Sequence, residues 1–185
     1  MPTHVALLRG INVGGSGKVP MAELRAALTA RGFTGVATYI QSGNVVLTSP
    51  DDPGAVAGTV AGVLREEFAL ERPVVVFGRD EYAAVLAANP FPQVTEPKQL
   101  HAVFRAAPPT DAERAALTAA VEAGRAGGSR EDAAIVGRVV YLHLPDGIGR
   151  SELGARLSTR TTAADGGGTA RNWATVRRLR EMLDD

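Results

Sequence analysis

The stretch "GVATYIQSGNVVLTS", residues 35–49, holds two strand-like runs joined at "QSGN". Its turn residues Ser42, Gly43 and Asn44 suit a hairpin, because glycine and asparagine tolerate a positive φ. A helix-like segment lies on each side. Upstream, from Pro20 to Arg31, the apolar positions Met21, Leu24 and Leu28 recur at helical spacing, with proline in the first turn and Gly32 just past the end. Downstream, "SPDDPGAVAGTVAGVLREEF" starts with turn residues and then sets Val56, Val60, Val63, Leu64 and Phe68 on one helical face. Outermost, Val5 to Leu8 and "RPVVVFG" read as buried strands. The order strand, helix, strand, strand, helix, strand is the ferredoxin-like split βαβ pattern. There the first and second strands run parallel with the third inserted between them in the opposite direction. The loop after the first strand and the "QSGN" turn therefore emerge at the same sheet edge.

The second half echoes this order less regularly. From Asp80 a helix-like "DEYAAVLAANP" leads into the proline-bearing "FPQVTEPKQ". "LHAVFRA" is a strand candidate, "TDAERAALTAAVEAG" a helix opened by the capping box Thr110 to Glu113, and "EDAAIVGRVVYLHL" a hairpin turning at Gly137-Arg138. A short helix is expected in "ELGARLS". A last strand would have to come from the glycine-rich "TTAADGGGTA". "NWATVRRLREML" places Trp173, Val176, Leu179 and Leu183 on one stripe of a terminal helix. The expected fold is α+β, with two ferredoxin-like (βαββαβ) subdomains and a C-terminal helix. Its expected boundaries are 1–79 for the first subdomain, 80–99 for a helix and linker, and 100–185 for the second.

Composition excludes several function classes. A chain of 185 residues with 45% hydrophobic and 22% charged residues buries roughly 70% of its unfolded surface, enough for a true core. Twenty basic residues balance twenty acidic ones, so no overall field concentrates nucleic acid or an acidic membrane. With no cysteine there is no disulfide, thiolate metal site or cysteine nucleophile. "MPTHVALLRG" has no basic n-region and its apolar run is broken by Arg9, so a cytoplasmic protein without membrane attachment is the expectation.

The loop "RGINVGGSGKVP", residues 9–20, invites comparison with phosphate-binding motifs. Aligned as a P-loop on Gly17-Lys18, it puts Asn12 at the first glycine and Val19 where the magnesium-binding hydroxyl belongs. Aligned as a dinucleotide fingerprint from Gly15 and Gly17, it ends on Pro20. Neither motif is present. What is left is a glycine-rich loop before a helix start, which can hold an anion with Arg9 or Lys18, or equally be a plain connection with solvated basic residues.

No catalytic constellation is identifiable. His4, His101 and His143 sit in or beside strands; His101 and His143 are candidates to meet across the second sheet, but a structural role is the first expectation for each, and no metal site is expected. Ser42 lies in Q-S-G and not in a nucleophile elbow, and Ser151 has no identifiable base. The pairs Asp51-Asp52, Glu66-Glu67 and Asp184-Asp185 fit helix ends and solvation. Toward the C-terminus, "DGIGRS" and "TARNWATVRR" set Arg150-Ser151 and Arg171-Asn172 at turns before helices. Ser151 and Asn172 suit N-caps, whereas an arginine at a helix start opposes the dipole unless an anion joins it. Arg177, Arg178 and Arg180 are followed by acids and read as a solvated face. Tyr39 alone does not make the aromatic sheet that binds RNA.

The segments "ALLRGINVGGSGKVPMAEL", "TYIQSGNVVL", "LPDGIGRSEL" and "TARNWATVRRL" together resemble the bacterial domain of unknown function 1697 family, in family order across nearly the whole chain. The resemblance implies two ferredoxin-like subdomains and supplies no activity. Its recognisable residues are Arg9, Gly10, Asn12, Gly14 and Gly15, Gln41 to Asn44, Gly149 to Ser151, and Arg171 to Trp173. The chain departs at Ala170, where a hydroxyl is common, and at Ala174, where asparagine often stands. The resulting expectation is a polar cleft where the two halves face each other, binding a small anionic or nucleotide-like ligand through Arg9, Asn12, Lys18, Gln41, Ser42, Asn44, Arg150, Ser151, Arg171 and Asn172, without a cofactor. The alternative is a non-catalytic structural or protein-interaction module in which these groups form an interdomain hydrogen-bond network. Nucleic-acid binding ranks last, and the sequence carries no signal for oligomeric state.

Overall fold

The structure, a computed structural model, describes residues 1–13, 17–155 and 168–185. The chain divides into two compact units, residues 1–84 with 177–185, and residues 85–176. In the first unit β1 (His4–Leu8), α1 (Met21–Ala30), β2 (Thr34–Tyr39), β3 (Asn44–Thr48), α2 (Pro53–Phe68) and β4 (Val74–Gly78) follow one another. The sheet order is β2-β3-β1-β4, with every neighbouring pair antiparallel. β1 and β2 therefore run parallel with β3 between them, which is the split βαβ topology.

Period-two alternation assigns the faces of this sheet. Ala6 and Leu8 of β1 join Val45 and Leu47 of β3, Val76 of β4, Leu24 and Leu28 of α1, and Val56, Val60 and Val63 of α2 in one core. α2 is started by the Asp52 carboxylate, which accepts from the N–H groups of Gly54 and Ala55 at 2.8 and 3.0 Å, with Pro53 at the first helical position. Such a cap is worth about 1 kcal/mol. α2 ends at Ala69, which is left-handed at φ 52. The opposite sheet face carries Val5, Leu7, Val46 and Phe77, each at most 1% exposed. Phe77 meets the buried Tyr82 of α3 (Arg79–Ala87) edge-on, with ring centroids 6.3 Å apart.

In the second unit β5 (Leu100–Phe104), α4 (Asp111–Ala126), β6 (Asp132–Val136), β7 (Val139–His143) and β8 (Thr169–Asn172) make a sheet of order β6-β7-β5-β8, again antiparallel throughout. This is the same order as in the first unit, so the protein is an α+β pair of ferredoxin-like halves. The capping box forms in full: Thr110 Oγ1 accepts from Glu113 N–H, and Glu113 Oε2 accepts from Thr110 N–H at 2.7 Å. A short 3₁₀ turn (Ile148–Arg150) precedes helical residues 152–155; the rest of the helix expected in "ELGARLS" lies outside the described residues. The C-terminal helix α5 (Trp173–Asp184) buries Trp173, Val176, Leu179 and Leu183, the expected stripe.

One expectation changes. The last strand, β8, begins at Thr169, inside the expected "TTAADGGGTA", and runs on to Asn172, while residues 161–167 of that segment lie outside the described residues. Arg171 therefore lies within β8 instead of at a helix start, paired in register with Ala102. The dipole argument made for it no longer applies. Among the described residues no helix is long and apolar enough to cross a membrane.

Candidate functional site

At the C-terminal end of β1 the glycine loop and the "QSGN" turn are neighbours, as the topology requires. Asn12 joins them. Its Oδ1 accepts from Val19 N–H at 2.8 Å, while its Nδ2 donates to the carbonyls of Val19 at 2.9 Å and Gln41 at 2.8 Å. A side-chain amide offers donor and acceptor together, and so can pair with both backbone groups of one residue; a carboxylate would lose the donors. Asn12 N–H also donates to Gly17 O at 2.9 Å, and Asn12 itself is left-handed at φ 53. Val19, the residue in the place of a P-loop hydroxyl, is fully buried in the core under α1.

The turn is equally constrained. Leu8 N–H donates to Gly43 O at 2.8 Å, drawing the hairpin against β1. A Cβ on Gly43 would stand 2.7 Å from Leu8 Cβ and 3.0 Å from Leu8 O, and φ there is +79°. Only glycine fits. The buried Asn44 donates from Nδ2 to Tyr39 O and Ser42 Oγ, both at 3.0 Å, closing the turn from within. Ile40 at the lip is left-handed at φ 49 and 52% exposed, an unusual conformation for a β-branched residue.

Positive charge gathers at this edge. The half-buried Arg9 guanidinium has no hydrogen-bond or ion-pair partner among the described residues, and neither has exposed Lys18 or the side chain of Gln41. Arg72, which the sequence reading missed, lies here too: Nε donates to Gly10 O at 3.4 Å and Nη1 to Glu71 O at 3.2 Å. The signal for Arg72 was topological. β4 runs antiparallel to β1, so the residues just before β4 lie at the end of β1, and Arg9 N–H indeed donates to Pro73 O at 3.1 Å.

The candidates from the second half are spent differently. Ser151 is buried and its Oγ accepts from Gly154 N–H at 2.7 Å, the expected N-cap. Asn172 Oδ1 accepts from Thr175 N–H at 2.9 Å and caps α5. Arg171 is 8% exposed, with Nη1 donating to Thr169 Oγ1 at 2.6 Å and Ala170 O at 2.8 Å, within its own strand. Arg150 is exposed and its guanidinium is unpartnered among the described residues. Asn172 pairs with His101 and the turn after β7 follows His143, so these segments lie where β5 begins, whereas in the first unit the polar edge lies where β1 ends.

The histidines do not form a pair. His101 stands opposite Leu142 and His143 opposite Leu100, so they occupy opposite faces of the sheet. His143 meets Phe91 with ring centroids 5.9 Å apart and the planes tilted by 40°. His101 Nδ1 is buried without a hydrogen bond among the described residues, and burial lowers its pKa from the ordinary value. Burial also lowers that of His4, outweighing the opposing pull of Asp51 and Asp52. Tyr141 is pushed up to about 12 by burial and donates to Val85 O at 2.7 Å. Among the described residues no cluster of His, Asp and Glu is placed to hold a metal ion. The acidic pairs have structural work: Asp51 accepts from Ser49, Asp52 caps α2 and Glu66 meets Arg31. On α5, Arg178 and Arg180 are answered by Glu181 at 3.0 Å and Asp184 at 2.6 Å.

Two split βαβ units, each closed at the end of its first strand by a hairpin turn, define a class of paired ferredoxin-like α+β proteins. Within that class the chain belongs to the DUF1697 family of proteins of unknown function, whose profile matches residues 1–141. A similar solved structure is that of a conserved bacterial protein, SP0830, from Streptococcus pneumoniae: TM-score 0.76 at 22% identity, covering 98% of each chain. That likeness speaks for the fold. No curated protein matches the chain.

Proposed function

We propose that the first unit binds a small anion, a phosphate- or carboxylate-bearing metabolite, at the edge formed by the glycine loop and the "QSGN" turn. Arg9 and Lys18 are the charged contacts, and the Gln41 amide fixes orientation. Asn12, Ser42 and Asn44 hold the two loops and do not touch the ligand. The observation carrying this reading is the half-buried Arg9, whose guanidinium has no partner among the described residues. In the second unit the arginine that follows β5 is answered from within: Arg105 Nη2 donates to Glu113 Oε1 at 2.7 Å. The protein supplies a carboxylate at one edge; at the other an external anion takes that role through charge-assisted hydrogen bonds. The chemistry proposed is binding: among the described residues no acid–base pair stands beside these cations.

A structural role inside each unit, distinct from the interdomain network expected from the sequence, has its own support, because the side chains of Asn12, Ser151 and Asn172 hydrogen-bond to backbone within their own unit. Thermal-shift measurements with inorganic phosphate, sugar phosphates and nucleotides separate the two readings. A ligand at 100 times its dissociation constant adds about 2.7 kcal/mol of stability. Binding predicts a shift that Arg9→Ala removes; a purely structural module predicts none.

A further inference from the structure

The second unit holds a groove that the anion site does not use. It lies between α4 and β6, with a volume of about 360 Å³, floored by Leu117, Val121, Ala133 and Ile135. We infer that this groove takes the C-terminal segment of a partner polypeptide as an added strand, its terminal carboxylate held by Arg114.

The first argument concerns the backbone. β6 is an edge strand of its sheet. It joins β7 through the two-residue turn Gly137-Arg138, so Val136 and Val139 form the closing hydrogen-bonded pair. Along an antiparallel ladder such pairs alternate with pairs whose N–H and C=O groups face away from each other. Ala133 and Ile135, opposite Leu142 and Val140, are of the second kind and direct their backbone groups outward. At Ala133 the chain blunts its own edge, since Asp132 Oδ1 accepts the Ala133 N–H at 2.8 Å and Oδ2 holds Arg125 at 2.7 Å. No such cover meets Ile135 among the described residues. The open stretch is short and lies toward the Val136 end, with the Val136 side chain 42% exposed.

The second argument concerns charge. α4 returns to β6 through a short loop, and the Arg125–Asp132 ion pair marks one end of the groove. Arg114 lies three turns earlier on the helix, about 16 Å away at 1.5 Å per residue, beside the open end of β6. It lines the groove, is half-buried, and has no ion-pair or side-chain hydrogen-bond partner among the described residues. The groove therefore combines an apolar floor, polar walls with Thr118 and the acid Glu122 toward the Arg125–Asp132 end, an open strand edge and a cation where the edge is open. An extended peptide running parallel to β6 brings its terminal carboxylate to Arg114; the reverse direction brings an ammonium group there and is repelled. Backbone pairing with Ile135 supplies affinity, and alternate apolar side chains enter the groove.

The test is selection of a phage-displayed library of random heptapeptides with free C-termini on the full chain, with Arg114→Gln as the counter-target. Enriched peptides should end in apolar residues and shift the amide resonances of Ile135 and Val136. Their affinity should drop at least tenfold in Arg114→Gln, on amidating the peptide terminus, and on N-methylating the peptide backbone, while Arg9→Ala leaves it unchanged. The peptide variants keep the protein wild type, so a misfolded mutant cannot mimic the result. Enrichment of no peptide over the counter-target, or indifference to amidation or to N-methylation, overturns the inference. So do Ile135 shifts that appear on concentrating the protein alone, which would make a second copy the occupant.

Discussion

Arg9 and Arg105 each follow the first strand of their sheet and lie beside a hairpin turn, but one residue out of register. In the first half Leu8 N–H donates to Gly43 O of the turn at 2.8 Å and Arg9 N–H to Pro73 O, whereas in the second half Arg105 N–H donates to Arg138 O of its turn at 3.1 Å. Arg105 therefore shares the helix-bearing face with Val103, and Arg9 takes the face opposite Leu8. The charge is handled differently. In the second half Glu113 accepts from the Arg105 guanidinium and from the backbone of Thr110, and Arg138 Nη1 caps Arg105 O at 3.1 Å. Hydrogen bonding from Thr110 and then Arg105, against some burial, holds the Glu113 carboxyl below its usual pKa. In the first half the edge is stiffened by side-chain amides, which are neutral, and the Arg9 guanidinium has no partner among the described residues. One edge is electrically closed by the protein itself; at the other, the proposed anion would supply the missing charge.

The sharpest way to break this comparison is at the turns. Gly43→Ala should destabilise the protein by about 3 kcal/mol, because the new methyl group meets Leu8 backbone and side chain at a left-handed position. Gly137→Ala, at φ +56° with nothing within 4 Å of its Cβ, should cost about 1 kcal/mol. Urea unfolding of the two variants measures the gap. Next in size, Asn12→Ala should cost about 2 kcal/mol, since it strips partners from buried Val19 as well as from Gln41. Glu113→Ala should cost about 1 kcal/mol through the lost cap, and it removes the Arg105 ion pair while Arg105 Nε keeps Ala107 O at 3.4 Å.

Much of the fold was legible because its elements carry period-two or helical apolar patterns and marked ends, as at Asp52, Pro53 and the Thr110–Glu113 box. β8 was not, since Thr169–Asn172 is short, polar and partly exposed; its pairing with β5 makes it a strand. The meeting of the glycine loop with "QSGN" followed from topology alone. Which arginines stay unanswered did not follow, because that depends on whether a carboxylate distant in sequence converges on them. Glu113 was readable as a capping residue, yet its second bond, to Arg105, was not. Arg72 was missed for the same reason, its place being set by the antiparallel return of β4.

A smaller effect distinguishes the halves by pH. His4 and His101 both have pKa values lowered by burial, so the unfolded chain binds protons that the folded chain refuses. Their stability contribution is fully present above the unfolded value near 6.5 and is lost as pH falls from there toward the folded values. Asp51 and Asp52 offset part of the effect at His4, while burial acts on His101 without such an offset. Unfolding free energies at pH 8 and pH 5 should therefore fall with acidification, and His101→Gln should flatten that slope more than His4→Gln.

The smallest expected stability change, within about 0.5 kcal/mol, belongs to Arg9→Ala, because the side chain holds no bond among the described residues. That variant is also the most direct test of the central claim. Melting temperatures of wild type and Arg9→Ala are measured with and without a panel of phosphate- and carboxylate-bearing metabolites. A ligand that raises the wild-type melting temperature and leaves the equally folded Arg9→Ala protein unmoved is the predicted result. Unfolding of Arg9→Ala in the absence of any ligand, or a wild type indifferent to the whole panel, contradicts it.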